Sequence, residues 1–261
     1  MESSSATKDG FAKTKSHGRI HYREAGKGKA LMLMHTNGAS AYQYEAVAPL
    51  LAQHFRVISW DMPGHGDSDP IARHYTMEDH AKAMAALMTA LKIKAAHISG
   101  ASVGGSITLA FASLFPQRTL SAVPVETPCR SFDAWGARWG HTEANFGLPM
   151  QTTAQIKERV AHVDAALESR WNIDRCKAGA WSMIDVMWGI REFDAPRAAK
   201  KIKRPMMIVY GKKGPTIADR ATLSGAAPKA PVHVLENSGH FPMLDEPSAF
   251  SSLLTRFCSG K

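Results

Sequence analysis

The fold is most clearly indicated by AAHISGASVGGSITLAFASLF, residues 95–115. Its apolar first part is typical of a buried strand, and the part from Ser102 to Phe115 has the spacing of a helix. At the junction, GASVG at 100–104 satisfies the pattern G-x-S-x-G. A serine on so tight a strand-to-helix turn needs small neighbours, and the turn leaves its hydroxyl exposed at the helix N-terminus. This context predicts that Ser102 is a nucleophile.

Outward from this turn, predicted strands and helices alternate along the chain. Strands alternating with helices of this length imply right-handed crossovers and a mostly parallel sheet. From about residue 127 to 196 the alternation stops, and the composition becomes helical and rich in tryptophan and methionine. We therefore predict an α/β core formed by residues 1–126 and 197–261, with residues 127–196 inserted between two sheet strands.

Composition excludes several classes of protein. With 44% hydrophobic and 21% charged residues, the 261-residue chain has the balance of a globular protein with its own core. No stretch reaches the roughly 18 to 20 apolar residues of a membrane span. The opening MESSSATKDG is polar where a signal peptide would be apolar. These features predict a soluble, cytoplasmic protein without a membrane partner.

Charge and cysteine usage exclude two further kinds of site. The net charge of +9 is scattered, and its one dense run, RAAKKIKR at 197–204, leads directly into a predicted strand. No nucleic-acid-binding module accompanies it, so no nucleic-acid partner is expected. Cys129, Cys176 and Cys258 lack both CxxC spacing and nearby paired histidines. We expect reduced cysteines, no metal and no cofactor.

A serine nucleophile needs a base that takes its proton during attack. His240, in NSGHFP at 237–242, follows the last predicted strand and so lies at the carboxyl edge of the sheet, where Ser102 also lies. His35 and His65 lie in loops at the same edge and are rivals. His240 is the predicted base.

Four segments in family order resemble the α/β-hydrolase family: HTNG at 35–38, DMPGHGDSD at 61–69, GASVGG at 100–105 and GHFPMLDEP at 239–247. The resemblance spans nearly the whole chain. It implies an eight-stranded, mostly parallel sheet flanked by helices, with the segment from about 127 to 195 as a helical cap over the active site. It also implies that DMPGHGDSD is mainly architectural, so neither Asp61 nor His65 is expected to be catalytic.

The oxyanion loop departs from the family pattern. This loop commonly begins with His-Gly, whereas here Thr36 stands in the glycine position and Asn37 follows it. By analogy, the backbone amides of Asn37 and Val103 would face the developing oxyanion. The Asn37 side chain either adds a contact to substrate or braces the loop.

The triad acid is the second departure. In most family members this acid follows the strand that MMIVYG at 206–211 represents, but residues 212–214 carry no carboxylate and Asp219 lies inside the next predicted helix. Glu126 ends the neighbouring strand, immediately before the insertion. Because the two strands end side by side, Glu126 can reach the same histidine nitrogen. We predict that Glu126 is the triad acid. The alternatives are that Asp219 is the acid, or that Glu126 is an ordinary solvent-exposed glutamate.

Some relatives resemble this arrangement by placing a glutamate after that strand, including certain haloalkane dehalogenases and the fungal lactonases that open zearalenone. The dehalogenases need a carboxylate at the elbow, where this chain has Ser102. The layout of Ser102, Glu126 and His240 is therefore similar to that of the zearalenone-type lactonases.

The insertion offers candidate substrate contacts. In WSMIDVMWGI at 181–190, Trp181 and Trp188 share one helical stripe and Met183 lies on a neighbouring one. Tryptophan and methionine side chains suit an apolar, adaptable pocket, but they equally suit the core of a small helical domain. Trp181, Met183 and Trp188 are the predicted substrate-binding residues.

The sequence thus predicts a cofactor-independent serine hydrolase for an ester or lactone of a hydrophobic small molecule, aromatic or macrocyclic. A carbon–carbon bond hydrolase or an amidase would use the same residues. Two other hypotheses stay open, a ligand receptor that closes its cap around a small molecule and a pseudo-enzyme that has lost its acid. A homodimer is compatible with the sequence.

Overall fold

The computed structural model describes residues 7–260. The first six residues of the polar opening stretch, for which the sequence predicts no signal peptide, lie outside the described residues.

Eight strands form one sheet in this part of the chain. They are β1 (Lys8–Lys13), β2 (Arg19–Ala25), β3 (Ala30–Met34), β4 (Arg56–Trp60), β5 (Ala96–Ala101), β6 (Thr119–Val125), β7 (Ile208–Gly211) and β8 (Val232–Leu235). Their order across the sheet is β1-β2-β4-β3-β5-β6-β7-β8, and every pairing is parallel except those of β2 with β1 and β4. The predicted eight-stranded, mostly parallel sheet is confirmed.

Helices cover both faces of the sheet. They are α1 (Ala48–Leu51), α2 (Met77–Ala90), α3 (Val103–Leu114), α4 (Phe132–Gly136), α5 (Trp139–Phe146), α6 (Thr153–Lys157), α7 (Ala165–Glu192), α8 (Ala195–Lys201), α9 (Arg220–Ala226), α10 (Pro242–Asp245) and α11 (Pro247–Ser259). The α2 and α3 side chains share a core cluster with one sheet face, and α1 and α11 share another with the opposite face. None of the helices in the described residues combines the length and apolar character that crossing a lipid bilayer requires.

The double covering explains the apolar runs in the sequence. Every residue of β3 and of β5 is buried. Strands of a parallel sheet with helices on both faces bury both sets of alternating side chains, so their sequences do not alternate between apolar and polar residues. The carboxyl ends of β3, β5, β6 and β7 lie at one edge of the sheet. The predicted site residues lie at this edge, in the segments that follow the strands.

Two local elements differ from expectation. The stretch AYQYEAVAPLLAQ at 41–53 has the spacing of one helix, but it forms a 3₁₀ helix, Ala41–Tyr44, followed by the short α1. Pro49 lies in the first turn of α1 and favours the start of a new helix there. The N–H that proline lacks would have no intrahelical partner in a first turn. The edge strand β1 is mostly exposed and polar, which is why no hydrophobic pattern predicted it.

The segment between β6 and β7 holds helices α4 to α8. Helix α8 packs against α3 and α9 through Ala195, Ala198 and Ala199, so it belongs to the layer beside the sheet. Helices α4 to α7 make up the rest of the segment, and Trp135, Val186, Met187 and Ile190 from α4 and α7 join the core cluster of α2 and α3. Within α7, Gly179 has φ 69° and ψ 164°, which divides this long element into two helices at a kink.

Candidate active site

Ser102 lies on a tight turn between β5 and α3. Its backbone has φ 56° and ψ −113°, and its N–H donates to the Val125 carbonyl at 2.8 Å. A Cβ at position 104 would lie 2.3 Å from the Met34 carbonyl oxygen, so only glycine fits there. Non-glycine residues with positive φ are uncommon and store strain, which clusters at functional sites. The glycine packing holds the serine hydroxyl at the carboxyl edge of the sheet.

Glu126 follows β6 and is fully buried. Its backbone also has a positive φ, 48°, and its N–H donates to the Val209 carbonyl at 2.8 Å. One carboxylate oxygen accepts the Gly211 N–H at 2.7 Å. The other accepts the Thr216 hydroxyl and lies 2.9 Å from Nδ1 of His240. The carboxylate is therefore fixed by two donors, one at the end of β7 and one in the loop after it, and is oriented toward the histidine.

His240 lies on the loop after β8, and its N–H donates to the Arg159 carbonyl at 2.8 Å. Because the Glu126 carboxylate can only accept, Nδ1 carries the proton and Nε2 is left as the basic nitrogen. Burial lowers the pKa of His240 below its ordinary value, and the hydrogen bond and charge of Glu126 partly oppose that shift. The ring is neutral at pH 7, the state a general base needs.

Gly214 accounts for the missing carboxylate after β7. A Cβ at this position would lie 2.4 Å from both carboxylate oxygens of Glu126. The space beside His240 that a side chain at 214 would enter is thus already occupied by Glu126. The alternative acid, Asp219, pairs instead with Arg130, whose Nε lies 3.4 Å from its Oδ2.

The rival histidines, His35 and His65, are buried and form hydrogen bonds with the oxyanion loop. His35 Nε2 accepts the Met62 N–H at 3.0 Å, so its Nδ1 donates to the Thr36 carbonyl at 2.6 Å. His65 Nε2 donates to Asn37 Oδ1 at 3.1 Å. Burial lowers the pKa of both rings. Neither lines the cavity that contains Ser102, so the structure places both in supporting positions.

Both polar atoms of the Asn37 side chain have a partner within the protein. Its Nδ2 donates to the Met183 carbonyl on α7 at 2.9 Å, while its Oδ1 accepts from His65. Of the two roles expected for this side chain, the structure favours the brace. The backbone amides of Asn37 and Val103 find no acceptor among residues 7–260, and Val103 is the first residue of α3, whose N–H has no intrahelical partner.

Ser102 and His240 line one cavity of about 240 Å³. The insertion supplies its apolar wall through Trp135, Phe146, Met187 and Ile190. Three arginines also line it, Arg130, Arg138 and Arg159. None of these seven residues was predicted from the sequence, although Met187 and Ile190 lie on the buried side of α7 beside Met183 and follow it at helical spacing.

The three predicted substrate-binding residues of α7 lie elsewhere. Trp181 is 67% exposed, and Trp188 packs against Trp139 at the surface, with tilted rings whose centroids lie 4.3 Å apart. Met183 is buried, but its sulfur packs on the backbone of Gly38 in the oxyanion loop. None of the three lines the cavity. The structure does not bring these predicted residues to the cavity, because the two tryptophans face solvent and Met183 packs against the oxyanion loop.

One group of side chains has the composition of a metal site. His21, Asp61 and Asp67 place potential ligand atoms within 4.8 Å of one another. The Asp61 carboxylate already accepts from the Ala41 N–H at 2.6 Å, the Asp67 N–H at 2.8 Å and His21 Nδ1 at 2.8 Å. These bonds fold the 61–69 turn against β2, in agreement with the architectural role that the resemblance implies.

A family model of the alpha/beta hydrolase fold matches residues 29–162. The chain belongs to the α/β-hydrolase family. The 2-hydroxy-6-oxo-6-phenylhexa-2,4-dienoate hydrolase of Burkholderia cepacia is 26% identical over 268 residues, which cover 93% of this chain and 92% of the relative. An uncharacterised protein of Mycobacterium bovis is 28% identical over 273 residues, which cover 92% of this chain and 79% of the relative.

A solved structure shares the fold of this α/β-hydrolase across nearly its full length. The enol-lactonase of Burkholderia xenovorans superimposes with a TM-score of 0.81 and 23% identity, covering 96% of this chain and 100% of that one. Likeness at this identity shows the fold alone. Together with the hydrolase relative, it confirms that the chain is an α/β-hydrolase and leaves its substrate open.

Proposed function

We propose that this α/β-hydrolase cleaves an ester or lactone of a small, partly apolar molecule through an acyl-enzyme intermediate. The observation that carries the proposal is the 2.9 Å contact between Glu126 Oε2 and His240 Nδ1, in a cavity that Ser102 also lines. An elbow serine, an oriented imidazole and a buried carboxylate are the three parts of a serine hydrolase triad.

Each residue has a step in this proposal. The Ser102 hydroxyl attacks the substrate carbonyl while His240 Nε2 takes its proton, and Glu126 stabilises the imidazolium that forms. The amides of Asn37 and Val103 donate to the oxyanion, where one such donor is worth about 3 kcal/mol. His240 then returns the proton to the leaving oxygen, and water repeats the sequence to release the acid.

The cavity suggests the kind of substrate. Its volume of about 240 Å³ lies just below the roughly 300 to 1,000 Å³ common for ligand pockets. Aromatic and aliphatic side chains of α4, α5 and α7 form one wall, so we propose that these helices cap the site. A compact ring or short acyl chain fits this volume better than a large macrocycle does.

Carbon–carbon bond hydrolysis is the second candidate. The Burkholderia cepacia relative is named for a phenyl-substituted oxo-dienoate, a compound without an ester, and its similarity extends over 93% of this chain. The same serine, histidine and oxyanion amides would serve that reaction. Assay with a dienoate of this type separates it from esterase activity.

Turnover of a short-chain p-nitrophenyl ester and of aromatic lactones tests the proposal. Wild type is expected to hydrolyse at least one of them, and Ser102→Ala is expected to lose at least about 10³-fold in kcat because the nucleophile is gone. Binding of the compounds without turnover would instead support a receptor. Equal activity of the Ser102→Ala variant would contradict the assignment of the nucleophile.

A further inference from the structure

The cavity beside Ser102 and His240 has an excess of positive charge. Among its described lining residues, Glu158 is the only carboxylate, against the arginines Arg130, Arg138 and Arg159. Arg130 is paired with Asp219. Within residues 7–260, neither Arg138 nor Arg159 forms an ion pair with a carboxylate. Arg138 is exposed to solvent, so Arg159 is the lining arginine that is both partly buried and without an ion pair among these residues.

Arg159 is the best placed of these side chains. Its carbonyl accepts the N–H of His240 at 2.8 Å, so its backbone is tied to the histidine loop. Its guanidinium carbon lies 5.5 Å from the ring centroid of Phe146, on the cavity wall. Burial lowers the pKa of Arg159, although the group stays charged at neutral pH. A partly buried guanidinium thus lines the cavity that Ser102 and His240 also line.

A second guanidinium contacts the same ring. Arg175 on α7 is 1% exposed, and its guanidinium carbon lies 5.8 Å from the Phe146 centroid. Its Nη2 donates to the carbonyls of Asn145 and Leu148, while Nε and Nη1 have no partner among the described residues. Burial and the charge of Arg159 lower its pKa to about 10. Positive charge accumulates at this wall, where Glu158 is the one carboxylate among the described lining residues.

A wholly neutral substrate would leave this charge uncompensated. A desolvated cation without a partner is costly, whereas a carboxylate matches the planar fork of arginine with two parallel hydrogen bonds. The apolar side chains around the guanidinium strengthen such a bond, because they lower the local dielectric.

We propose that the substrate is an ester or lactone that also carries a carboxylate, and that Arg159 binds this carboxylate next to the bond that is cleaved. The inference rests on the proposed function, since it names the substrate class of the same site. The aromatic and aliphatic wall would hold the rest of the molecule. Arg159 is then a residue that determines specificity.

Matched ester pairs test this assignment. Mono(4-nitrophenyl) glutarate and 4-nitrophenyl valerate differ in charge on the acyl side, and 4-acetoxybenzoate and its methyl ester differ in charge on the leaving group. We expect wild type to prefer the anionic member of at least one pair by about tenfold or more in kcat/KM. Arg159→Gln should reduce that preference at least tenfold, and Arg159→Lys should reduce it less.

The control is Arg197→Gln, which removes the same charge from an exposed position on α8 outside the cavity lining. It should keep the wild-type preference. A preference below about threefold in wild type for both pairs would overturn the proposal, as would an unchanged preference in Arg159→Gln. An equal loss in Arg197→Gln would also overturn it, since long-range charge would then explain the effect.

Binding separates failure of this inference from failure of the proposed function. Glutarate and benzoate are titrated calorimetrically into wild type and Arg159→Gln, with folding checked by circular dichroism. If no ester is hydrolysed but carboxylates bind wild type and bind Arg159→Gln at least tenfold more weakly, the anion site stands and the hydrolase proposal fails. If esters are hydrolysed and neither carboxylate binds, the anion site fails alone.

Discussion

Glu126 and Gly214 compete for one space beside His240. The carboxylate of Glu126 occupies it, and a Cβ at 214 would approach both of its oxygens to 2.4 Å. This exclusion explains why a carboxylate after β6 accompanies a glycine in the loop after β7. It also makes the two positions exchangeable in principle.

Transplanting the acid tests this exclusion. Glu126→Gly removes the carboxylate and fits the positive φ of 48°, so activity should fall by about 10²-fold or more. Gly214→Asp alone should also impair the enzyme, because its side chain meets Glu126. The double variant should recover at least about tenfold over Glu126→Gly, measured as kcat for one ester. Additive losses in the double variant would show that position 214 cannot supply the acid.

Ser102, His240 and Glu126 could be located from sequence because each directly follows a strand or lies on the loop after one. Parallel strands end at a common edge, so residues far apart in the chain converge there. Arg159 gave no such signal. Its place in the cavity depends on how the loop after α6 packs against the loop that bears His240, and neither a motif nor a periodicity encodes that contact.

At the scale of elements, the core was predictable and the insertion only partly so. Strand and helix periodicity located the sheet and its covering helices. For α7, periodicity separated a tryptophan stripe from a methionine stripe but could not say which one faces inward. In the structure Met183 and Met187 are buried, whereas Trp181 and Trp188 are exposed, so the methionine stripe of α7 faces inward. The kink at Gly179 adds a change of direction that helical spacing does not anticipate.

Glycine substitutions in the insertion test that kink. Gly179 has φ 69° and ψ 164°, a region open essentially to glycine, so Gly179→Ala should cost about 1 to 3 kcal/mol of unfolding free energy. A Cβ added at Gly140 in α5 would meet no atom within 4 Å, and Gly140→Ala should stabilise by about 0.5 to 1 kcal/mol. Denaturant unfolding measures both. Stabilisation by both substitutions would contradict the kinked geometry.

At the scale of the whole molecule, buried histidines make the fold sensitive to acid. Burial lowers the pKa of His35, His65 and His240. It also lowers the pKa of His80 to about 3 and the pKa of His97 to about 4. The raised pKa values of His21 and His74, each bonded to a buried aspartate, oppose this in part.

The sign of the pH dependence follows from these directions. An unfolded histidine binds its proton near pH ~6.5, whereas the buried rings stay neutral, so the unfolded state binds more protons as pH falls below that value. Stability should therefore fall from about pH 7.5 to about pH 5. His80 alone should account for about 2 kcal/mol of that loss, since its folded pKa lies at about 3.

His80→Leu provides the measurement. Both ring nitrogens of His80 lack a partner among residues 7–260, so leucine removes no hydrogen bond there. When the pH falls from about 7.5 to about 5, the free energy of unfolding should decrease in both proteins. The decrease should be about 2 kcal/mol smaller in His80→Leu than in wild type. His233→Gln, at an exposed position, should leave the difference unchanged. A wild-type stability that does not change over this range would contradict the account.

Steady-state kcat for an ester that wild type hydrolyses tests whether the triad acid lies after β6. Glu126→Gln keeps the shape of the side chain but loses the charge that orients and stabilises protonated His240, so we expect kcat to fall by about 10² to 10⁴-fold. Asp219→Asn, which changes the acid paired with Arg130, should stay within about threefold of wild type. Near-wild-type activity of Glu126→Gln, or a large loss in Asp219→Asn alone, would place the acid elsewhere.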